Sequence, residues 1–270
     1  MDPSINGEGV TIAIIDSAVD RAHPDLASAI ELSENFVISK SDVDPLRTQG
    51  EAHGTAMAGV IVAQKGSTLG LAGIAPRAKL RAYRGCWENA NGQTNCNTLS
   101  LARALDAVVK NGADILNLSL SGPKDFLLDQ LVSRVVSNGT VIVTAFDPAR
   151  AGQARFPSNR DGVLVVRAEN LDDQFDDFFT APGARVVATP GNGYNFMKGH
   201  SVASAYTAGL LALRKQSRDN ILGSSQRKKP IDWREYSKAD KASELMKQLI
   251  DQSPQANRPL LTNQFMVVSN

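Results

Sequence analysis

Between residue 10 and about residue 213, short runs rich in β-branched residues alternate with longer stretches of helical pattern. That alternation is the signature of a parallel sheet with crossover helices, so the expected fold class is α/β. The run Val10-Thr11-Ile12-Ala13-Ile14-Ile15 is almost continuously apolar and stops at Asp16. A central strand covered on both faces requires such a run. Further strands are expected at 79–83, 114–120, 140–145, 163–167 and 185–188. The Ala-rich apolar stretch 56–64 reads as a buried helix with His53 in its first turn. A second helix is expected from Asn97 or Thr98 to Asn111, with Gly112 as its stop, a third over 127–137 and a fourth over 201–213. The architecture that follows is a central, mainly parallel sheet with helices on both faces, in three layers. Nothing repeats at a solenoid period, and 270 residues suit one domain over 1–270 built around one extended core.

After residue 213 the pattern changes. Residues 214–247 hold ten basic and five acidic side chains and few large apolar ones. Residues 214–270 read as a divergent, solvated covering segment, with the basic cluster Arg227-Lys228-Lys229 as the place a partner would engage. Over the whole chain the formal charge is only +1, which supplies no field to collect nucleic acid or an anionic membrane. No apolar run approaches the roughly 20 residues of a membrane span, and Met1-Asp2-Pro3-Ser4 lacks the basic and then apolar start of a signal peptide. A monomer without a transmembrane segment is expected.

The two cysteines, Cys86 and Cys96, bracket a polar, Asn- and Gly-rich stretch. It reads as a loop closed by a disulfide, and a bond places the chain in the periplasm or outside the cell. The other reading is a pair of free thiols in the cytosol. Two cysteines at this spacing, with no histidine nearby, cannot make a structural zinc site.

Three polar residues fall where open parallel sheets build their sites: Asp16 at the end of a strand, and His53 and Ser201 at helix N-termini. A serine hydroxyl is a poor nucleophile until an imidazole takes its proton, and the imidazole needs a carboxylate to fix its tautomer and steady its charge. Asp16, His53 and Ser201 supply those three roles. A serine at a helix N-terminus also aims backbone N–H groups at a developing oxyanion.

The blocks around these residues carry a resemblance. Ile14-Ile15-Asp16-Ser17-Ala18-Val19-Asp20 with His23-Pro24-Asp25-Leu26 resembles the aspartate motif of the subtilisin-like serine peptidases. His53-Gly54-Thr55-Ala56-Met57-Ala58-Gly59 resembles their histidine motif, and Gly199-His200-Ser201-Val202-Ala203-Ser204-Ala205 with Ala208-Gly209 their serine motif. Gly73-Ile74-Ala75-Pro76, Asn117-Leu118-Ser119-Leu120-Ser121-Gly122-Pro123 and Ala181-Pro182-Gly183 match further landmarks, so the resemblance runs from about residue 8 to 213. It implies a serine endopeptidase that hydrolyses protein or peptide substrates through an acyl-enzyme, with Asp16, His53 and Ser201 as its triad. It also implies a substrate-pairing edge at Ser119-Leu120-Ser121, and a first specificity pocket between that edge and Thr144-Ala145-Phe146. His23 is expected in a structural turn.

The chain departs from the family's pattern at several places. Where relatives carry an Asn that donates to the oxyanion beside the serine N–H, Asp147 stands here. An ionised Asp cannot donate, whereas a carboxylic acid held neutral can, and some relatives are known for Asp at this position. Asp147 therefore reads either as a donor working in its acid form or as the mark of a degraded site. Phe146 replaces a Gly and would narrow the pocket; Arg155 is read as the pocket floor or as a salt-bridged surface residue. His200 stands where a Thr is usual, as a second base, a cation near substrate or a tolerated surface residue. The segment Lys65-Gly66-Ser67-Thr68-Leu69-Gly70 occupies a place where many relatives bind calcium but lacks the Asn and Asp oxygens a hard cation prefers, so no strong calcium site and no cofactor is expected. A propeptide, or a separate chaperone or inhibitor chain, is a partner the family implies. Two other functions compete with hydrolysis: a pseudoprotease that binds peptide strands uncut, and a maturase that transfers its acyl group to an amine to close a macrocycle.

Overall fold

The computed structural model describes residues 4–38, 50–64, 71–148, 155–157, 162–169 and 179–222. The first elements in chain order are β1 (Thr11–Asp16), β2 (Ile30–Asn35), α1 (Ala52–Val62), β3 (Lys79–Arg84), β4 (Cys86–Glu88), β5 (Thr94–Cys96), α2 (Thr98–Asn111) and β6 (Ile115–Leu118). They are followed by β7 (Gly122–Pro123), α3 (Phe126–Ser137), β8 (Val141–Ala145), β9 (Arg155–Phe156) and β10 (Val163–Ala168). Last come β11 (Phe179–Ala181), β12 (Ala184–Thr189), β13 (Gly193–Lys198) and α4 (His200–Leu222). Seven strands form one sheet in the order β11-β10-β8-β6-β1-β3-β2, and every pair in it is parallel.

The apolar continuity of β1 has a direct structural counterpart. Ile12 and Ile14 belong to a core shared with α1 and α4, while Ala13 and Ile15 belong to a second core shared with α2 and α3. Successive side chains of a strand alternate faces, so a strand roofed on both sides takes apolar residues at nearly every position, or polar ones only where a buried partner satisfies them. Helix α1 is buried at every residue but Ala52. Its Ala- and Gly-rich sequence follows from that, because a helix enclosed on all sides has no polar face and small side chains let its neighbours approach closely.

Local capping sets the outer helices. The Asn97 side chain accepts the Ser100 N–H at 2.8 Å to start α2, and Asp125 accepts those of Leu127 and Leu128 to start α3. Helix α2 ends at Gly112, whose φ of 71° favours glycine.

The parallel alternation read from the sequence is corrected at its C-terminal end. The strand expected at 185–188 forms β12, but β12 pairs antiparallel with β13 in a separate hairpin. A short turn through Gly191 and Asn192, both with positive φ, makes that hairpin possible. Strand β2, with the polar sequence IELSEN, gave no apolar signal because it lies at the edge of the sheet. The last helix runs on past 213 to Leu222. Lys215 and Gln216 are buried there, since each has partners. Lys215 pairs with Asp219 at 2.8 Å, and Gln216 accepts the N–H groups of Asn6 and Gly7 and donates to Ser4 O, all at 2.8 Å. The basic cluster at 227–229 and the segment 65–70 lie outside the described residues.

The Cys86–Cys96 disulfide is present and closes the β4–β5 hairpin, in which Cys86 stands opposite Cys96 and Glu88 opposite Thr94. In a chain-entropy account a loop of this length gains about 3 kcal/mol from its cross-link.

The sheet topology places the site. From β1 the chain first moves to the β3–β2 side, then returns through α2 to β6 on the other side of β1. The crevice beyond the carboxyl ends of β1 and β6 lies where the order reverses, and open parallel sheets bind ligands there. Asp16 ends β1, Ser119 follows β6, and Phe146 and Asp147 follow β8.

Candidate active site

Asp16 and His53 are joined. His53 Nδ1 lies 2.8 Å from Asp16 Oδ1, which also accepts the Ser17 N–H at 2.7 Å. Both side chains are buried, at 3% and 7% exposure. His53 is the second residue of α1, so its position depends on how the first turn of that helix meets the end of β1. The imidazole is held above its ordinary range: burial, the largest single influence, lowers it, but the charge and hydrogen bond of Asp16 and the charge of Glu88 outweigh burial. His53 Nε2 is buried and, among the described residues, has no hydrogen-bond partner.

Ser201 is the second residue of α4, and its N–H is among the first-turn donors with no partner inside the helix. Its hydroxyl donates to Ser119 O at 3.4 Å instead of reaching His53 Nε2. Ser119 Oγ in turn donates to Ser201 O at 3.2 Å and accepts from Asn117 Nδ2 at 2.9 Å, and Ser204 Oγ donates to Asn117 Oδ1 at 2.8 Å. These bonds fix the first turn of α4 to the end of β6.

Asp147 lies just past β8. Its Oδ2 accepts from Ser121 Oγ and, at 3.1 Å, from Arg155 Nη1, so both contacts use the side chain as an acceptor. The reading of Arg155 as a surface residue is corrected: it is salt-bridged, but only 6% exposed. The antiparallel pairing of β9 with β7 sets Arg155 opposite Pro123. Thr144 is fully buried, its hydroxyl shared between Leu118 O and Leu120 O. Ala145 and Phe146 are buried as well, while Leu120 is half-buried and Ser121 exposed.

The reading of His200 as a tolerated surface residue is also corrected. Its Nδ1 accepts the Ala168 N–H at 3.0 Å and its ring meets Phe146 edge-on at 5.4 Å, so it joins α4 to β10 and packs the aromatic that follows β8. His23 is fully buried in the turn after β1, where Nδ1 accepts the Asp25 N–H and Nε2 lies 3.3 Å from Gly193 O.

Sequence reasoning missed a carboxylate pair behind His53. Glu51, just before α1, binds Arg84 through both carboxyl oxygens, at 2.9 and 2.8 Å, and accepts the Ala18 N–H at 2.6 Å. Glu88 accepts the N–H groups of Ala52 and His53. Glu51, two residues before the histidine, could have been found as a helix-start residue. Glu88 carried no local signal, because it comes from a hairpin 35 residues further along the chain.

The model of the subtilase family matches residues 7–263, nearly the whole chain and well beyond the motif blocks. The chain belongs to the subtilase family. Among curated proteins, this subtilase is 33% identical over 232 residues to the thermophilic serine proteinase of Bacillus sp. (strain AK1), a match covering 82% of the chain and 56% of that protein. It is 32% identical over 222 residues to subtilisin Savinase of Lederbergia lenta, covering 78% of each. Of several curated relatives, including the Bacillus enzyme, the chain spans little more than half the length. Solved structures share the fold: sphericase, at 24% identity, superposes with a TM-score of 0.66 over 83% of this chain and 82% of that one. The prenylagaramide maturation protease, at 22% identity, does so with a TM-score of 0.65 over 83% and 82%. Among the described residues no helix is long and apolar enough to cross a membrane.

Proposed function

We propose that this subtilase is a serine endopeptidase in which Asp16, His53 and Ser201 act as one unit. The buried 2.8 Å pair of Asp16 and His53, with Nε2 uncommitted on the other side of the ring, carries the reading. Asp16 accepts the hydrogen bond of Nδ1–H and so holds the tautomer in which Nε2 is the base. Rotation of the Ser201 hydroxyl from Ser119 O toward Nε2 arms the nucleophile; hydrogen bonds of this kind often form fully only when substrate is bound. Ser201 Oγ then attacks the scissile carbonyl as His53 takes its proton. The imidazolium returns that proton to the leaving amine, which departs and leaves an acyl-enzyme. A water molecule, deprotonated by the same nitrogen, releases the acid and restores Ser201. Ser119-Leu120-Ser121 is the edge that pairs with the peptide substrate, and the pocket lies between it and Thr144-Ala145-Phe146 with Arg155 beneath. The disulfide supports a periplasmic or extracellular setting.

A fluorophosphonate probe, which reacts with an activated serine, is expected to label the chain between pH 5 and 9, with Ser201→Ala abolishing the label. Folded protein that takes no label at any of these pH values would make the cleft a peptide-binding site. Mass spectrometry of products from a peptide library then separates hydrolysis from ligation.

In this reading the Ser201 N–H is one oxyanion donor and Asp147 stands beside it. Asp147 Oδ2 accepts from Ser121 and from Arg155, so the side chain acts there as an acceptor, whereas an oxyanion needs a donor. Asparagine would supply a permanent amide donor instead. Asp147→Asn is therefore expected to raise kcat/KM by up to about 10²-fold, the size of one oxyanion donor. An unchanged rate would place Asp147 outside the oxyanion hole.

A further inference from the structure

Helix α1 begins without a cap of its own. Glu51, at its N-cap position, makes no side-chain bond to the helix, because its carboxylate is taken up by Arg84, Ala18 N–H and Glu88 N–H. The first-turn N–H groups still need acceptors. They find them in a side chain from outside the helix: Glu88 Oε2 accepts the Ala52 N–H at 3.1 Å and Oε1 accepts the His53 N–H at 2.6 Å. Glu88 Oε1 also accepts from Ser17 Oγ at 3.3 Å, and that hydroxyl accepts the Gly54 N–H at 2.9 Å. One carboxylate thus holds the backbone of His53 and the residue following Asp16 together, and it does so from the β4–β5 hairpin that Cys86–Cys96 closes.

We propose that Glu88 is a positioning residue for His53, setting the imidazole in register with Asp16 from a hairpin that the Cys86–Cys96 disulfide keeps in place. The inference rests on the reading of Asp16, His53 and Ser201 as a hydrolytic triad. Glu88 acts in two ways. Its hydrogen bonds fix the first turn of α1, and its charge stands beside the ring. Among the described residues, the charged groups acting on His53 are Asp16 from β1 and Glu88 from β4, and Glu88 N–H is held in turn by Glu51, which pairs with Arg84. Asp16 and Glu88 both favour the imidazolium, which agrees with the raised position of His53. A negative charge at the N-terminus of α1 also suits the helix dipole.

The test compares wild type with Glu88→Gln and Glu88→Ala. His53 titration is followed by the ring Cε1–H resonances of histidine-labelled protein, which has only three histidines, and kcat and KM are measured against pH on a fluorogenic peptide. In both variants the His53 midpoint is expected to move to lower pH. The acid limb of kcat/KM, which reports the free enzyme's base, is expected to move with it. Plateau kcat is expected to fall roughly ten- to a hundredfold in Glu88→Ala, with a smaller fall in Glu88→Gln, whose amide oxygen still accepts an N–H. KM is expected to hold in both. Cys86→Ser/Cys96→Ser, which leaves the carboxylate but unties its hairpin, is expected to lower kcat in the same direction. A His53 midpoint and a kcat both unchanged in folded Glu88→Gln overturn the proposal. A midpoint that shifts in a protein that cleaves no peptide leaves the Glu88 inference standing and removes the triad reading instead.

Discussion

Replacing His53 by Ala is expected to lower kcat/KM on a peptide substrate by about 10⁴- to 10⁶-fold, and adding Ser201→Ala to that variant is expected to cost little more. In the proposed mechanism the loss is large because His53 Nε2 takes the Ser201 proton: without it the hydroxyl remains bonded to Ser119 O and its oxygen stays neutral. The effects do not add, since a serine without its base and a base without its serine are equally idle. Asp16 acts one step further away, through the 2.8 Å bond to Nδ1. Steady-state kinetics on the two single variants and the double variant measure this directly, with circular dichroism confirming that each is folded. A His53→Ala protein retaining more than a few per cent of wild-type kcat/KM, or single losses that multiply in the double variant, would mean that the pair does not work as a unit.

Gly54→Ala is expected to cost at least about 10²-fold in kcat/KM although it adds a single methyl group. A Cβ built at Gly54 overlaps Ser17 O and stands 2.8 Å from Ser17 C. These are backbone atoms that cannot swing aside as a flexible side chain could. The first turn of α1 must then move away from the end of β1, carrying His53 from Asp16 and breaking the Gly54 N–H bond to Ser17 Oγ. A shift of about an ångström in a catalytic group is enough for a loss of this size, and overpacking of this kind costs about 1–3 kcal/mol in stability. Thermal unfolding and kcat/KM check the two effects separately. Full activity with an unchanged midpoint would show that the contact between α1 and β1 has room to spare.

Much of the site was legible because the chemistry is concentrated in short contiguous blocks. Asp16 closes an apolar run, and His53 and Ser201 open apolar helices, so their placement at the rim of the sheet follows from local pattern. The errors fall where a side chain's environment is made by a distant segment. Arg155 reads from sequence either as the pocket floor or as a salt-bridged surface residue, and only the surface part fails, because nothing near it in sequence announces that β9 pairs with β7. His200 looked replaceable because its partners, Ala168 N–H and the Phe146 ring, come from β10 and the segment after β8. The helix expected to stop at 213 continues because Lys215 and Gln216 are satisfied by Asp219 and by the first described residues of the chain.

The sequence by itself determined the α/β class, the two-sided burial of β1 and the N-cap region of α2; it offered the Cys86–Cys96 bond as one of two readings and marked Asp16, His53 and Ser201 as the candidates for the centre. Each is a matter of periodicity or of neighbours within a few positions, where a residue's own stereochemistry decides. Only the tertiary structure decided that α1 is capped by Glu88 from a disulfide-closed hairpin and that Asp147 is held by Ser121 and Arg155. It also showed that Ser201 rests against Ser119 O while His53 already holds Asp16. The physical reason is the same in each case: a buried hydrogen-bonding group needs a partner, but the chain's path, not the local sequence, determines which residue is near enough to be one.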